Sequence, residues 1–398
     1  MVNASVTEVM NPDTAFNDIL IPVVYGGKLY VLNIRGDSGI ILINITDKEI
    51  TTLGGGDANA LVHSTKYLGH NVKDSIVKVW YIHGRSGELV LNLAKIDLAV
   101  KTVERTELKT FSLSWLTRWE DISHGTCLTP TLCVLPDWDG GNLQYINLDT
   151  GNVSTKTAPQ SEYRVSHKWI PKNDDIYMLS GVHLAGANQR YLKLYACTET
   201  DLGFSTGGGS PRPDMFGLAV FSDEVLFPAS SGGVAGEDND LAILNSSFNR
   251  LATIDISGIL GITAGNPFGH IVAKKVGGGY YALIGASDHS TPRNLRLAWV
   301  ELDSSFSVVS STTLLSKTAS SGLFEMPYLD CSDITDAPII DLVKKKIYVI
   351  NRGDNYNWIV EIDISDVWDN IEEFNLRNWF ISPHLKIPTI LTLTVTPL

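Results

Sequence analysis

The feature that most constrains this chain is a hairpin that returns with the same grammar along its length. It is clearest in Lys28–Ile50 (KLYVLNIRGDSGIILINITDKEI), Leu132–Val153 (LCVLPDWDGGNLQYINLDTGNV) and Lys346–Asp366 (KIYVINRGDNYNWIVEIDISD). Each copy runs as an apolar strand, a turn rich in Gly, Asp and Asn, a second strand ending in Asn or Asp, and a polar turn. A small sheet of this kind cannot bury both faces by itself, so the copies must stack on one another around a shared axis.

Weaker copies fill the intervals: Ser75–Gly84 with Glu88–Leu98, Asp175–Gly181 with Arg190–Leu202, Glu224–Ser230 with Asp240–Ile256, and Gly279–Ala286 with Asn294–Val309. Apolar segments ahead of several copies, at Ile19–Val24, Phe216–Phe221, His270–Lys275 and Pro338–Val343, read as innermost strands. The pattern predicts an all-β, seven-bladed β-propeller of four-stranded antiparallel blades over residues 19–376. Residues 1–18 are left as an N-terminal extension and 377–398 as a C-terminal one.

Composition narrows the partners. The 398 residues carry 44% hydrophobic and 19% charged side chains, enough apolar material for a large core. A net charge of -13 with one tight basic run, Lys344-Lys345-Lys346, argues against nucleic acid, whose phosphates need a basic stripe. That run reads as a solvated turn between strands. No stretch is long and apolar enough to span a membrane, and the first twenty residues lack the basic and apolar regions of a signal peptide. The compartment is therefore open, with a virion or cell surface favoured and the cytoplasm as the alternative. Sequons at Asn3, Asn44, Asn152 and Asn245 bear on a surface location only if the chain reaches it by another route.

Four cysteines are too few for a disulfide scaffold. Cys127 and Cys133 lie symmetrically about Pro130, so a hairpin turning there sets them opposite each other, as a disulfide or as two buried thiols.

The elements Tyr30-Val31-Leu32-Asn33, Tyr348-Val349-Ile350-Asn351, Ile146-Asn147-Leu148-Asp149-Thr150-Gly151 and Ile362-Asp363-Ile364 resemble the YVTN-type repeats of seven-bladed β-propellers common in surface-layer and other extracellular proteins. The resemblance implies the fold and an extracellular setting; it implies no particular reaction.

In a four-stranded blade, the turns between second and third strands and the connections to the next blade share one face. The longer segments assigned to it are Glu104–Ser123, Gly181–Arg190, Thr206–Met215, Ser230–Asp240, Ala286–Asn294 and Ser316–Thr335. Long loops on a rigid scaffold are where binding concentrates. Trp138 and Trp358, beside Asp137, Asp139, Arg352 and Asp354, offer indoles for apolar sugar faces and charges for hydroxyls, or else cover blade edges as packing. Trp115 and Trp119 read as one helical turn capping the face. His183, His289 and Arg293, with Glu237, Asp238 and Asp288, are the residue types a lyase or glycosidase would use, although no spacing ties them together. His124, His167 and His270 fall near inner strands, where packing or solvation competes with metal ligation. The stretch Asp137–Asn142 opens like a calcium loop but lacks its closing Glu, so no cofactor is expected, with calcium as the alternative. Two Arg-Gly-Asp tripeptides, at Arg35 and Arg352, occupy equivalent turns that call for Gly and Asp.

The ending 388–398 alternates Leu391, Leu393 and Val395 with threonines and reads as a strand seeking an edge, either closing the ring or adding to another molecule. These features predict a surface-exposed, non-enzymatic recognition or assembly module for glycan or protein, with homo-oligomer or lattice assembly open to it. A polysaccharide lyase or glycoside hydrolase with its site at the channel mouth is the alternative.

Overall fold

A computed structural model describes residues 2–9, 19–61, 64–112, 126–127, 132–136, 142–147, 150, 152–157, 167–172, 175–181, 191–193, 205–207, 240–244, 250–262, 265–288, 293–319, 339–341, 344–351 and 357–374. Strand β1 (Asn3–Val9) stands ahead of the first hairpin sheet, which is β2 (Ile19–Tyr25), β3 (Lys28–Arg35), β4 (Gly39–Asn44) and β5 (Glu49–Gly54). The second sheet is β6 (Lys66–Lys73), β7 (Ile76–Arg85), β8 (Glu88–Asp97) and β9 (Thr102–Ser112). The third is β10 (Thr126–Cys127), β11 (Leu132–Pro136), β12 (Asn142–Asn147) and β13 (Val153–Thr157). The fourth is β14 (His167–Lys172), β15 (Asp175–Gly181), β16 (Tyr191–Lys193) and β17 (Ser205–Gly207). Of the fifth, β18 (Asp240–Leu244) and β19 (Arg250–Asp255) are described, followed by the short helix α1 (Ile256–Leu260). The sixth is β20 (Gly265–Lys275), β21 (Tyr280–Asp288), β22 (Arg293–Leu302) and β23 (Val308–Ala319). The last comprises β24 (Ile339–Asp341), β25 (Lys346–Asn351) and β26 (Asn357–Asp363), after which a 3-10 turn over Ser365–Asn370 leads into β27 (Ile371–Phe374).

Within each sheet consecutive strands pair antiparallel, so each is a meander, and the described residues form seven such sheets. The three clear hairpins of the sequence coincide with β3–β4, β11–β12 and β25–β26.

Side-chain alternation explains how the sheets stack. On β3, Tyr30, Leu32 and Ile34 pack with Val77, Val79 and Tyr81 of the second sheet. Leu29 and Val31 point the other way and pack with Ile339, Tyr348 and Ile359 of the last sheet. The first sheet therefore lies between the second and the last, which is why β3 and β4 are apolar on both faces rather than on one. The same alternation places Tyr281 and Leu283 of β21 against Ile347 and Val360, while Tyr280, Ala282 and Ile284 meet Ile254 and Ile256.

Two strands come from outside their own repeats. β1 pairs with β26 over seven residues, from Asn3 opposite Asp363 to Val9 opposite Asn357, and so supplies the outer strand of the last sheet. Residues 3–9 are thus not an extension from the fold, and that sheet takes its fourth strand from the N-terminal end. The described β24 to β26 leave an unpaired edge on β26, and NASVTEV alternates well enough to fill it. The assembly-strand residues Leu391, Leu393 and Val395 lie outside the described residues. β27 adds a fifth strand to the sixth sheet, pairing with the inner strand β20, and carries Ile371 and Phe374 into a core with Val2 and Trp368.

Two of the expected long loops are shorter. Residues 104–112 belong to β9 and 316–319 to β23, because their β-branched and polar residues suit half-exposed outer strands. The lysine run is a turn between β24 and β25 as expected, yet its side chains are engaged. Lys344 reaches Thr46, Lys345 lies over the Trp368 ring and Lys346 pairs with Glu361. Among the described residues, no helix is long and apolar enough to cross a membrane.

Candidate functional site

The face carrying the second-to-third-strand turns is best described between the first and second sheets. There the β3–β4 turn folds back on itself. The Arg35 Nε and Nη2 groups donate to the two carboxylate oxygens of Asp37 at 3.1 and 2.8 Å, so the cation and anion of this Arg-Gly-Asp are joined to each other. Gly36 is needed for closeness rather than for a positive φ: a Cβ there would sit 2.9 Å from the Cβ of His83. The Gly36 N–H donates to Thr65 Oγ1 at 2.6 Å, and its carbonyl accepts from the Asp57 N–H at 2.7 Å. Gly39 does have a positive φ, 95°, and a side chain there would collide with the Gly54 carbonyl.

Asp57, in the connection between β5 and β6, is the hub. Its Oδ2 accepts from His83 Nε2 at 2.9 Å and from Arg85 Nε at 2.7 Å, with Arg105 Nη2 at 3.4 Å. Its Oδ1 accepts from the Asn59 N–H at 2.9 Å. Burial opposes its ionisation, but the Asn59, Arg85 and His83 donors outweigh that and hold the carboxyl well below the usual carboxylate range. Arg85 also donates to Glu107 at 2.7 Å, and Arg105 donates to the Gly55 carbonyl at 3.1 Å.

The tautomer of His83 follows from its partners. Asn92 Nδ2 lies 3.0 Å from His83 Nδ1 and also donates to the Val90 carbonyl, so Nδ1 is the acceptor and Nε2 carries the proton given to Asp57. Burial pushes the imidazole pKa down, in keeping with a neutral ring. Both ring nitrogens are engaged and the ring is fully buried, so a substrate proton has no path to either. This His–Asp pair braces two sheets. It is not an acid–base device.

A second buried histidine lies on β6. The Tyr67 hydroxyl is hydrogen-bonded to His70 Nδ1 at 2.7 Å, and burial lowers the His70 pKa to about 4. Because the folded value lies below that of the unfolded chain, the unfolded state takes up the proton first. The His70 contribution is complete above pH 6.5 and is lost as pH falls from 6.5 towards 4. Urea titrations should show a loss of roughly 2 to 3 kcal/mol between pH 7.5 and pH 4.5 from this group. His70→Gln should flatten that dependence; an unchanged slope in the variant would contradict the assignment.

The residues singled out from sequence fall mostly elsewhere. Asp137, Trp138, Asp139, His183, His289, Arg352 and Asp354 lie outside the described residues, in positions that separate the second and third strands of their sheets. Trp115, Trp119, His124, Glu237 and Asp238 also lie outside the described residues. Arg293 opens β22 opposite Ala319, and Trp358 in β26 lies between Asn351 and Glu8. His167 and His270 fall in β14 and β20, and Asp288 ends β21 opposite Gly265. Cys127 and Cys133 are direct partners in the β10–β11 ladder. Asn44 is buried with its amide donating to Asp47 at 2.7 Å, which removes that sequon as an acceptor, whereas Asn152 is exposed. Among the described residues, no three His, Cys, Asp or Glu side chains are grouped as metal ligands.

Successive antiparallel meanders stacked face to face, with the first packed on the last and completed from the N-terminal end, decide the architecture. The chain is a β-propeller. Among solved structures it is similar to a catalytically inactive virginiamycin B lyase from Staphylococcus aureus, crystallised with quinupristin, at TM-score 0.50 and 12% identity over 91% of this chain and 100% of that one. It is also similar to U3-55K, at TM-score 0.48 and 12% identity over 89% of this chain and 98% of that one. The RRP9 WD40 repeats give TM-score 0.48 and 12% identity over 90% and 97%. No protein-family model matches the sequence. No curated protein matches it significantly. At this identity the likeness concerns the propeller fold alone.

The sequence reading missed Asp57, His83, Arg85, Asn92, Arg105 and Glu107. The available signal was Gly54-Gly55-Gly56 directly before Asp57, three residues without side chains where chain must approach chain.

Proposed function

We propose that this chain is a closed seven-bladed propeller serving as a non-enzymatic recognition or assembly module. In this reading it is exposed on a virion or cell surface, like a spike or surface-layer component, and binds a glycan or a protein through the face that carries Asp57. The observation that carries the reading is how that rim uses its ionisable groups. Asp57, His83, Arg85, Arg105 and Glu107 are bonded to one another, as are Arg35 and Asp37, so they fix turns against each other. A rim fixed in this way holds the neighbouring connections at constant spacing, as recognition by loops on a rigid scaffold requires. The packing of first sheet on last supports closure of the ring, and the seven sheets support the blade count.

Trp138, between β11 and β12 in the sequence, and Trp358, at the start of β26, are the indoles offered to a ligand. Asp137, Asp139, Arg352 and Asp354 are the hydrogen-bonding groups beside them, and His183, His289 and Arg293 extend the set. The test is binding of the purified chain to a broad glycan array, with release of reducing ends and of unsaturated products followed for each hit. Binding without turnover is expected. Turnover would overturn the reading in favour of a polysaccharide lyase or glycoside hydrolase.

A further inference from the structure

We propose that Cys127 and Cys133 form a cross-strand disulfide that fastens the inner strand of the third sheet, making its attachment redox-dependent. In the described part of β10, Thr126 lies opposite Val134 and Cys127 opposite Cys133 on β11. β10 also packs against β6, so it lies in the contact between second and third sheets. A covalent link at Cys127 would tie β10 to β11 beside that contact.

The geometry of the ladder permits the bond. Residues directly opposite on antiparallel strands have Cα atoms about 4.5 to 5.5 Å apart, within the range of about 4.4 to 6.8 Å that disulfides span. A slip of one residue would send the two side chains to opposite faces, so the register itself selects the pair. The oxidant is a low-molecular-weight disulfide such as oxidised glutathione. One cysteine thiolate attacks it and releases one glutathione thiol, and the second thiolate displaces the other from the mixed disulfide. Two cysteine thiols and one glutathione disulfide thus become one protein disulfide and two glutathione thiols.

The experiment uses the full chain equilibrated with oxidised glutathione, then denatured, alkylated without reductant and digested with trypsin. Residues 119–156 form one tryptic peptide that contains Cys127 and Cys133 together and no other cysteine. That peptide should be unalkylated and two hydrogens lighter than its reduced form. Reduction should lower the thermal midpoint of the wild-type chain by about 3 °C, and leave that of the Cys127→Ser/Cys133→Ser double variant unchanged. Alkylation of both cysteines, or a separate glutathione adduct on each, would overturn the bond. A bond that forms without moving the midpoint would overturn its fastening role. Neither outcome depends on what the propeller binds.

Discussion

Deleting residues 1–9 should cost on the order of 5 kcal/mol or more, from seven paired residues at about 0.5 to 1.5 kcal/mol per hydrogen bond, together with loss of the buried Val2. The deletion also uncovers β26, whose Asn357–Asp363 sequence NWIVEID would become a bare apolar edge. The truncated chain should therefore aggregate or unfold at a much lower denaturant concentration, and a peptide of residues 1–10 added in trans should restore part of the loss. A soluble truncated chain that unfolds cooperatively at the wild-type midpoint would remove β1 from any closing role.

Replacing Asp57 with Ala is the second large effect. It leaves the buried His83 N–H, Arg85 and Arg105 without their shared acceptor. Breaking a buried ionic arrangement by removing one partner costs roughly 3 to 5 kcal/mol. The Arg85 and Arg105 side chains keep 23% and 14% of their exposure, so water can relieve part of the loss and the lower end is expected. Chemical denaturation of Asp57→Ala at pH 7 measures this directly. The sign with pH is fixed: the Asp57 carboxyl is depressed in the folded state, so its contribution is complete above the ordinary value of 3.8 and is lost as pH falls through the folded value. The gap between wild type and variant should narrow on acidification below pH 4. Lys28→Ala, by contrast, removes an ion pair of 2.5 Å whose members are 45% and 34% exposed, and it should produce no resolvable change. Burial, not closeness, decides between the two.

The sequence disclosed what local pattern can carry. Lys28–Arg35 and Gly39–Asn44 are apolar on both faces and joined by a turn bearing Gly and Asp, which marks a hairpin buried between two others. Cys127 and Cys133 announced their register through their symmetry about Pro130. The strand that completes the last sheet was not legible in the same way. NASVTEV is short, and nothing local tells it to seek Asn357–Asp363, more than 340 residues along the chain. The ending with Leu391, Leu393 and Val395 has the stronger strand character, which is why it, rather than NASVTEV, reads as the strand that closes the ring or adds to another molecule. Strand character and choice of partner are different properties, and only packing supplies the second. The Asp57 network was hidden for a related reason: His83, Arg85 and Arg105, bonded directly to the hub, lie 26 to 48 residues from it, each an ordinary polar residue in its own segment. Arg35 and Asp37 show the converse. A conspicuous tripeptide proves to be a turn whose charges satisfy each other.

The measurement that tests recognition through this face most directly compares wild-type chain with the Trp138→Ala/Trp358→Ala double variant on the same glycan array, with Asp57→Asn as a control for the rim. The account predicts retention of a defined set of glycans by the wild type without release of reducing ends. It predicts loss of that retention in the double variant, at a thermal midpoint within a few degrees of wild type. Retention unaffected by the two substitutions, cleavage of the bound glycans, or no retention of any glycan by the wild type would each contradict glycan recognition through Trp138 and Trp358.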